Sequence, residues 1–199
     1  MKKIKRALIS VSNKKKLRPL LKILKKNFVE IISSGGTYKE IKKLKYDCID
    51  LSKYTGSPEI LGGRVKTLHP KIHAGILHDR QNKKHKNEMF KQNFPALDLI
   101  VVNFYPFQDI VLNTKNPKQI IENIDIGGPT MVRAAAKNFK NVAIITNKAD
   151  YSSLIKELEN FKGRTSLKFR EFMSSKAFSL TAYYDAMIAN WFNKKLKIE

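Results

Sequence analysis

Three short stretches combine residue types that hold an anion or move a proton. In the first, Ser34-Gly35-Gly36-Thr37, paired glycines let backbone approach a ligand and two hydroxyls add donors at a helix start. It is neither a GxGxxG nor a Walker loop, so dinucleotide and ATP readings lose support. In the second, Gly62-Gly63-Arg64-Val65-Lys66-Thr67-Leu68-His69-Pro70, Arg64 and Lys66 stand two apart, which in an extended loop aims both cations the same way. The third runs Asp125-Ile126-Gly127-Gly128-Pro129 into a helix that carries Arg133 and Lys137 one turn apart. A lysine desolvated against Ala134, Ala135 and Ala136 titrates nearer neutrality and exchanges protons, and a paired Asp125 opposes that shift. Taken singly, each stretch also fits a plainer role: a Ser/Gly turn with a Thr cap, an exposed basic loop, a helix with an alanine packing face. His69 and His73 have the i,i+4 spacing of a metal pair, but Pro70 argues against a helix through them and no HExxH-type carboxylate lies between. One ordered structural histidine, without metal, is the expectation.

These stretches need a frame to bring them together. Residues 6–12 read as a buried strand, 14–26 as a helix with Leu17, Leu20, Leu21 and Leu24 on one face, and 28–33 as a second strand. A short helix over 37–44 and a strand over 48–51 follow. Residues 52–80 form a long irregular stretch, of a length that usually carries function. The pattern then predicts a polar helix over 81–93, a strand over 97–104, a helix over 119–124, another opening at Gly127, a strand over 141–146 and an amphipathic helix over 150–161. Residues 166–196 hold helical spacing throughout, as one long helix or two. Strands apolar on both faces, alternating with helices, mean an α/β fold with a mainly parallel sheet flanked by helices and with C-terminal helices, in one domain over 1–199. On such sheets ligands bind beyond the carboxyl ends of the strands, here Ser10-Val11-Ser12, residues 34–37 and Asn103 to Tyr105. Ser12 and Lys14 leave the first strand at that rim, where they can close on a phosphate.

Composition narrows the function classes. With 39 Lys+Arg against 17 Asp+Glu among 199 residues, the chain carries +22. The basic residues are overwhelmingly lysine, in short runs on polar helix faces, without the arginine forks or base-stacking aromatics of nucleic-acid readers. The field favours an anionic small substrate over specific nucleic acid. One cysteine excludes a disulfide framework and fits a reducing cytoplasm. No uncharged apolar run approaches the roughly 20 residues that span a bilayer, and the basic start runs into a buried strand instead of a signal segment.

Taken together, the segments resemble the IMP cyclohydrolase part of the bifunctional AICAR transformylase/IMP cyclohydrolase family. The resemblance is carried by residues 7–14, 32–37, 54–61, 62–77, 101–107, 124–138 and 176–185. It implies a methylglyoxal-synthase-like fold, a homodimer, and dehydrative closure of FAICAR (5-formamidoimidazole-4-carboxamide ribotide) to IMP without metal or redox cofactor. The family's formyl-transferring half would begin near where this chain stops. By the match, Lys137 is the proton donor/acceptor, and Lys66, Tyr105 and Asp125 complete the catalytic group. Ser10, Ser12, Asn13, Lys14, Ser34, Gly35, Gly36 and Thr37 correspond to phosphate and ribose binders. Arg64, Val65, Thr67, Val102, Asn103, Ile126, Gly127 and Gly128 correspond to positions around the base. Asn13 replaces a common Asp, and Lys16 a frequent Gly. The runner-up is a phosphate-binding enzyme or regulatory module of the same fold, for which Arg64 to Thr67 together with Asp125 to Gly128 would be unnecessary. A basic nucleic-acid binder ranks third.

Overall fold

The computed structural model describes residues 1–104 and 107–198. Five parallel strands form its centre: β2 (Arg6–Val11), β3 (Glu30–Ser33), β4 (Ile49–Asp50), β5 (Leu99–Asn103) and β6 (Ala143–Ile145), in the order β4-β3-β2-β5-β6. A two-residue antiparallel pair, β1 (Lys2–Lys3) with β7 (Arg164–Thr165), lies apart from that sheet. The central strands are apolar on both faces because helices cover both, and Ala7 to Ile9, Ile31 to Ile32, Leu99 to Val102 and Ala143 to Ile145 are buried.

The first crossovers follow the expected pattern. Helix α1 (Leu17–Lys26) buries Leu17, Leu20, Leu21, Ile23 and Leu24, with Pro19 in the first turn where its missing N–H costs nothing. Helix α2 (Gly35–Lys43) links β3 to β4. The stretch expected to be irregular, 52–80, instead holds α3 (Leu51–Thr55), a 3-10 turn (Leu61–Gly63) and α4 (Pro70–Leu77). Pro70 does not block a helix; it starts one, occupying the first turn while the His69 ring accepts from the Lys71 N–H at 3.1 Å as the cap.

Helix α5 (Lys83–Lys91) precedes β5, and α6 (Phe107–Asn113), α7 (Pro117–Glu122) and α8 (Gly127–Lys137) lie between β5 and β6. Helix α6 was not anticipated, and α7 begins two residues earlier than its pattern indicated because Asn116 caps it ahead of Pro117. Helix α9 (Tyr151–Asn160) packs on α1, and α10 (Leu167–Leu196) is one unbroken helix of 30 residues across α8 and β6.

Two polar anchors fix this frame away from the strands' carboxyl ends. Asp98 accepts from the backbone N–H groups of Lys5 and Arg6 and pairs with Arg80 at 2.6 Å, tying the amino ends of β2 and β5. Buried Arg170 on α10 donates to the carbonyls of Phe139 and Lys140, holding the chain just beyond α8. A separate aromatic cluster of Phe107, Tyr184 and Trp191 fastens α6 to α10.

Candidate active site

Beyond the carboxyl ends of β2, β3 and β5, where the strand order reverses around β2, the molecule opens into a cleft of about 400 Å³. The first wall is the β3–α2 turn. Gly35 has φ +53°, in the left-handed region where a side chain would be strained, so α2 can begin directly beneath the cleft with its first N–H groups unspent. Two ammonium groups lie against these glycines. A Cβ on Gly35 would stand 3.5 Å from Lys66 Nζ, and one on Gly36 would stand 3.3 Å from Lys14 Cε. An anion here would meet a helix N-terminus and two cations together.

Thr37 departs from its expected role. Its hydroxyl both accepts from the Val11 N–H and donates to the Val11 carbonyl at 3.0 Å, so it ties α2 to the end of β2 instead of offering a free donor. Ser12 donates to the Phe104 carbonyl at 2.9 Å and Lys14 to the Ser12 carbonyl at 3.2 Å, which fixes the β2–α1 turn. Lys16, in that turn, has φ +65°, the conformation glycine adopts most readily.

The second wall is the loop before α4. It is not extended, as the spacing of its cations suggested, but a succession of turns: the Lys66 N–H reaches the Gly63 carbonyl and the Leu68 N–H the Val65 carbonyl. Arg64 and Lys66 therefore part. The Arg64 guanidinium bonds the Glu122 carboxylate at the cleft's edge, while Lys66 turns toward Gly35. His73 supports this loop from behind through the Thr67 backbone, and burial pushes its imidazole below the usual histidine range.

The third wall is the start of α8. The Gly128 N–H donates to Asp125 Oδ1 at 2.9 Å, and the Asp125 N–H donates to the Tyr184 phenol oxygen at 2.8 Å. A Cβ on Gly127 would run into the Thr67 hydroxyl, and one on Gly128 into the Asp125 carboxylate. Burial pushes the Asp125 carboxyl above its ordinary value, against the opposing pull of the Gly128 N–H and of the Lys66 cation. Asp125 is thus a carboxylate poised to accept a proton beside a positive charge.

The cleft gathers most of the residues singled out from sequence: Ser10, Ser12 and Lys14; residues 34–37; Arg64, Lys66 and Thr67; Val102 and Asn103; and residues 125–128. Three stand elsewhere. Asn13 faces a neighbouring cavity of about 420 Å³ beside Phe104 and Tyr184, and Val65 a smaller one of about 210 Å³ behind Lys66. Tyr105 lies outside the described residues. Lys137 is not brought to the cleft: it closes α8 at the opposite end, exposed, ten residues beyond Gly127 and so roughly 15 Å along the axis. Sequence reasoning missed Glu122 and Tyr184, which act on the site from distant elements, and Glu59, which lies in the same loop as Lys66. A Tyr-Tyr-Asp run inside the 176–185 match was the only signal for Tyr184.

Comparison with known proteins fits this geometry. Residues 16–130 match the MGS-like domain model, and residues 135–199 match that of the AICARFT/IMPCHase bienzyme. The chain is 47% identical over 197 residues to the bifunctional purine biosynthesis protein PurH of Bradyrhizobium diazoefficiens, covering 99% of this chain and 37% of that protein. It is 49% identical over 188 residues to PurH of Clostridium kluyveri, covering 38% of its length. The crystal structure of ForH superposes with a TM-score of 0.84 at 31% identity, over 95% of this chain and 99% of that one. The chain therefore spans little more than a third of the PurH relatives. It belongs to the MGS-like family and corresponds to the N-terminal, IMP cyclohydrolase part of the bifunctional purine biosynthesis protein.

Proposed function

We propose that this chain serves purine biosynthesis as an IMP cyclohydrolase, closing FAICAR to IMP with loss of water. The observation that carries this reading is that Lys66 and a half-buried Asp125 line one cleft, whose opposite wall offers a helix start and Lys14 to a phosphate. The N-terminal correspondence to PurH supports the substrate assignment.

In the reaction the carboxamide nitrogen forms a bond to the formyl carbon, and the formyl oxygen takes the electron pair. The carboxamide nitrogen gives up one of its protons and the formamido nitrogen gives up its own as that oxygen leaves as water, and the ring's C=N bond forms to the formamido nitrogen. The phosphate sits on the 34–36 turn against Lys14, and Asn103 with residues 64–67 holds the base, so the two reacting arms are pressed together. Asp125 accepts a proton from the carboxamide nitrogen. The Lys66 ammonium and the Gly127 N–H stabilise the oxygen as it becomes negative. Tyr105 keeps its place in the catalytic group on the family resemblance alone. Lys137, at the far end of α8, is given no proton transfer in the cleft of its own chain. The resemblance makes a homodimer the proposed assembly.

Incubating the purified chain with FAICAR and following IMP by absorbance tests the reading. Turnover supports it; a folded chain that binds a ribonucleotide monophosphate without turning FAICAR over leaves a regulatory phosphate module instead.

A further inference from the structure

Lys66 stands in the wall between the main cleft and the smaller cavity behind it, and lines both. On the cleft side stands Asp125, whose titration feels its charge. On the other side is Glu59, with Oε1 3.8 Å from Lys66 Nζ. Gly63 lies between them. It has φ +86°, and a Cβ there would run into the Glu59 carboxylate while standing 3.4 Å from Lys66 Nζ. The bare backbone at Gly63 therefore lets carboxylate and ammonium share one side of the loop, and Gly35 leaves the ammonium room on the other.

We propose that Glu59 is a positioning residue: from behind the cleft it anchors the Lys66 ammonium at the edge of the phosphate turn, on the side from which it faces the reacting oxygen of the substrate. The pair is half exposed and long, so it adds little to stability. Its consequence is geometric, because an ammonium displaced by an ångström loses much of its effect on a developing charge. The inference rests on the cyclohydrolase reading. The other charged groups around Lys66 are Lys14 across the β3–α2 turn, Asp125 at the start of α8, Arg64 with its partner Glu122 at the cleft edge, and Asp50 and His69 on the smaller cavity. None of these is within ion-pair distance of Lys66; among the described residues Glu59 alone is.

Glu59→Gln keeps the shape and removes the charge, and the residue's exposure lets the variant fold, which unchanged circular dichroism and melting verify. Expected are a fall in kcat of about tenfold with KM within about twofold. The acid limb of the kcat profile moves to lower pH, because a negative charge has been withdrawn from the neighbourhood of Asp125. Independently of turnover, competitive acylation with acetic anhydride, read by peptide mass spectrometry, labels Lys66 about threefold faster relative to Lys14 once the anchoring carboxylate is gone. Unchanged labelling of Lys66 overturns the proposal whether or not FAICAR is turned over. An unchanged kcat and pH profile in an active wild-type background overturns it as well. Failure of the wild-type chain to close FAICAR, with labelling altered as expected, sinks the cyclohydrolase reading and leaves Glu59 as the anchor of Lys66.

Discussion

The two ends of α8 are made from one short stretch of sequence and do opposite work. At its start, Gly127 and Gly128 line the cleft, pressed against the Thr67 hydroxyl and the Asp125 carboxylate, and the Gly128 N–H is spent on Asp125. At its end, the helix is scaffold. Ser174 on α10 donates to the Ala136 carbonyl at 2.7 Å, and the Asn138 amide donates to the carbonyls of Ile76 and His78, locking α8 to α10 and α4. Lys137 there complements the negative end of the helix dipole from an exposed position. The start of α8 thus shapes the cleft and fixes Asp125, while its end packs against neighbouring helices.

Substitutions at the two ends should separate accordingly. The largest effect belongs to Lys66→Ala and Asp125→Asn, each lowering kcat by about 10²- to 10⁴-fold while IMP still binds in a calorimetric titration. A loss under tenfold in both would remove the cleft end from the reaction. Next is Gly127→Ala, whose methyl group must displace Thr67; it should cost about 1–3 kcal/mol in urea unfolding and raise KM for FAICAR. An unchanged KM would show that the packing of Thr67 does not shape the substrate site.

The pH profile sharpens the contrast further. Because the Asp125 carboxyl is raised, its base form is lost as pH falls through a value above the ordinary 3.8, so the acid limb of kcat lies above that value. Lys66→Met, which removes the neighbouring cation, should push that limb higher still; a limb that stays put would mean another group is the base. At the start of α1, Lys16→Gly should raise stability by about 0.5–1 kcal/mol by relieving its left-handed conformation. A lowered urea midpoint would contradict this. The smallest effect is expected for Lys137→Ala, with kcat within about threefold of wild type, since the group lies a helix length from the cleft. A loss matching Lys66→Ala would break the two-ended picture and put the far end of α8 at the reacting atoms.

Much of this arrangement was legible in the sequence, and for identifiable reasons. Buried strands such as 99–103 announce a parallel sheet because both faces must be apolar, and the rim rule then points to Ser12, residues 34–37 and Asn103. Helix α4 was hidden because Pro70 reads equally as a helix breaker and as a helix start, and only the His69 cap decides. The parting of Arg64 from Lys66 depends on Glu122, 58 residues away, and the anchoring of Asp125 on Tyr184, 59 residues away. Local spacing holds no record of such partners. The place of Lys137 was hidden for a related reason: its motif runs on from Asp125 in sequence, but the intervening helix carries it to the other end of α8.

The central claim is that one cleft grips the ribotide and closes its ring. Stopped-flow absorbance of the wild-type chain mixed with FAICAR, alongside Asp125→Asn and Lys137→Ala, tests it most directly. The account predicts IMP formation by the wild type and the Lys137 variant and near-silence from Asp125→Asn. IMP formation by Asp125→Asn at the wild-type rate would contradict it.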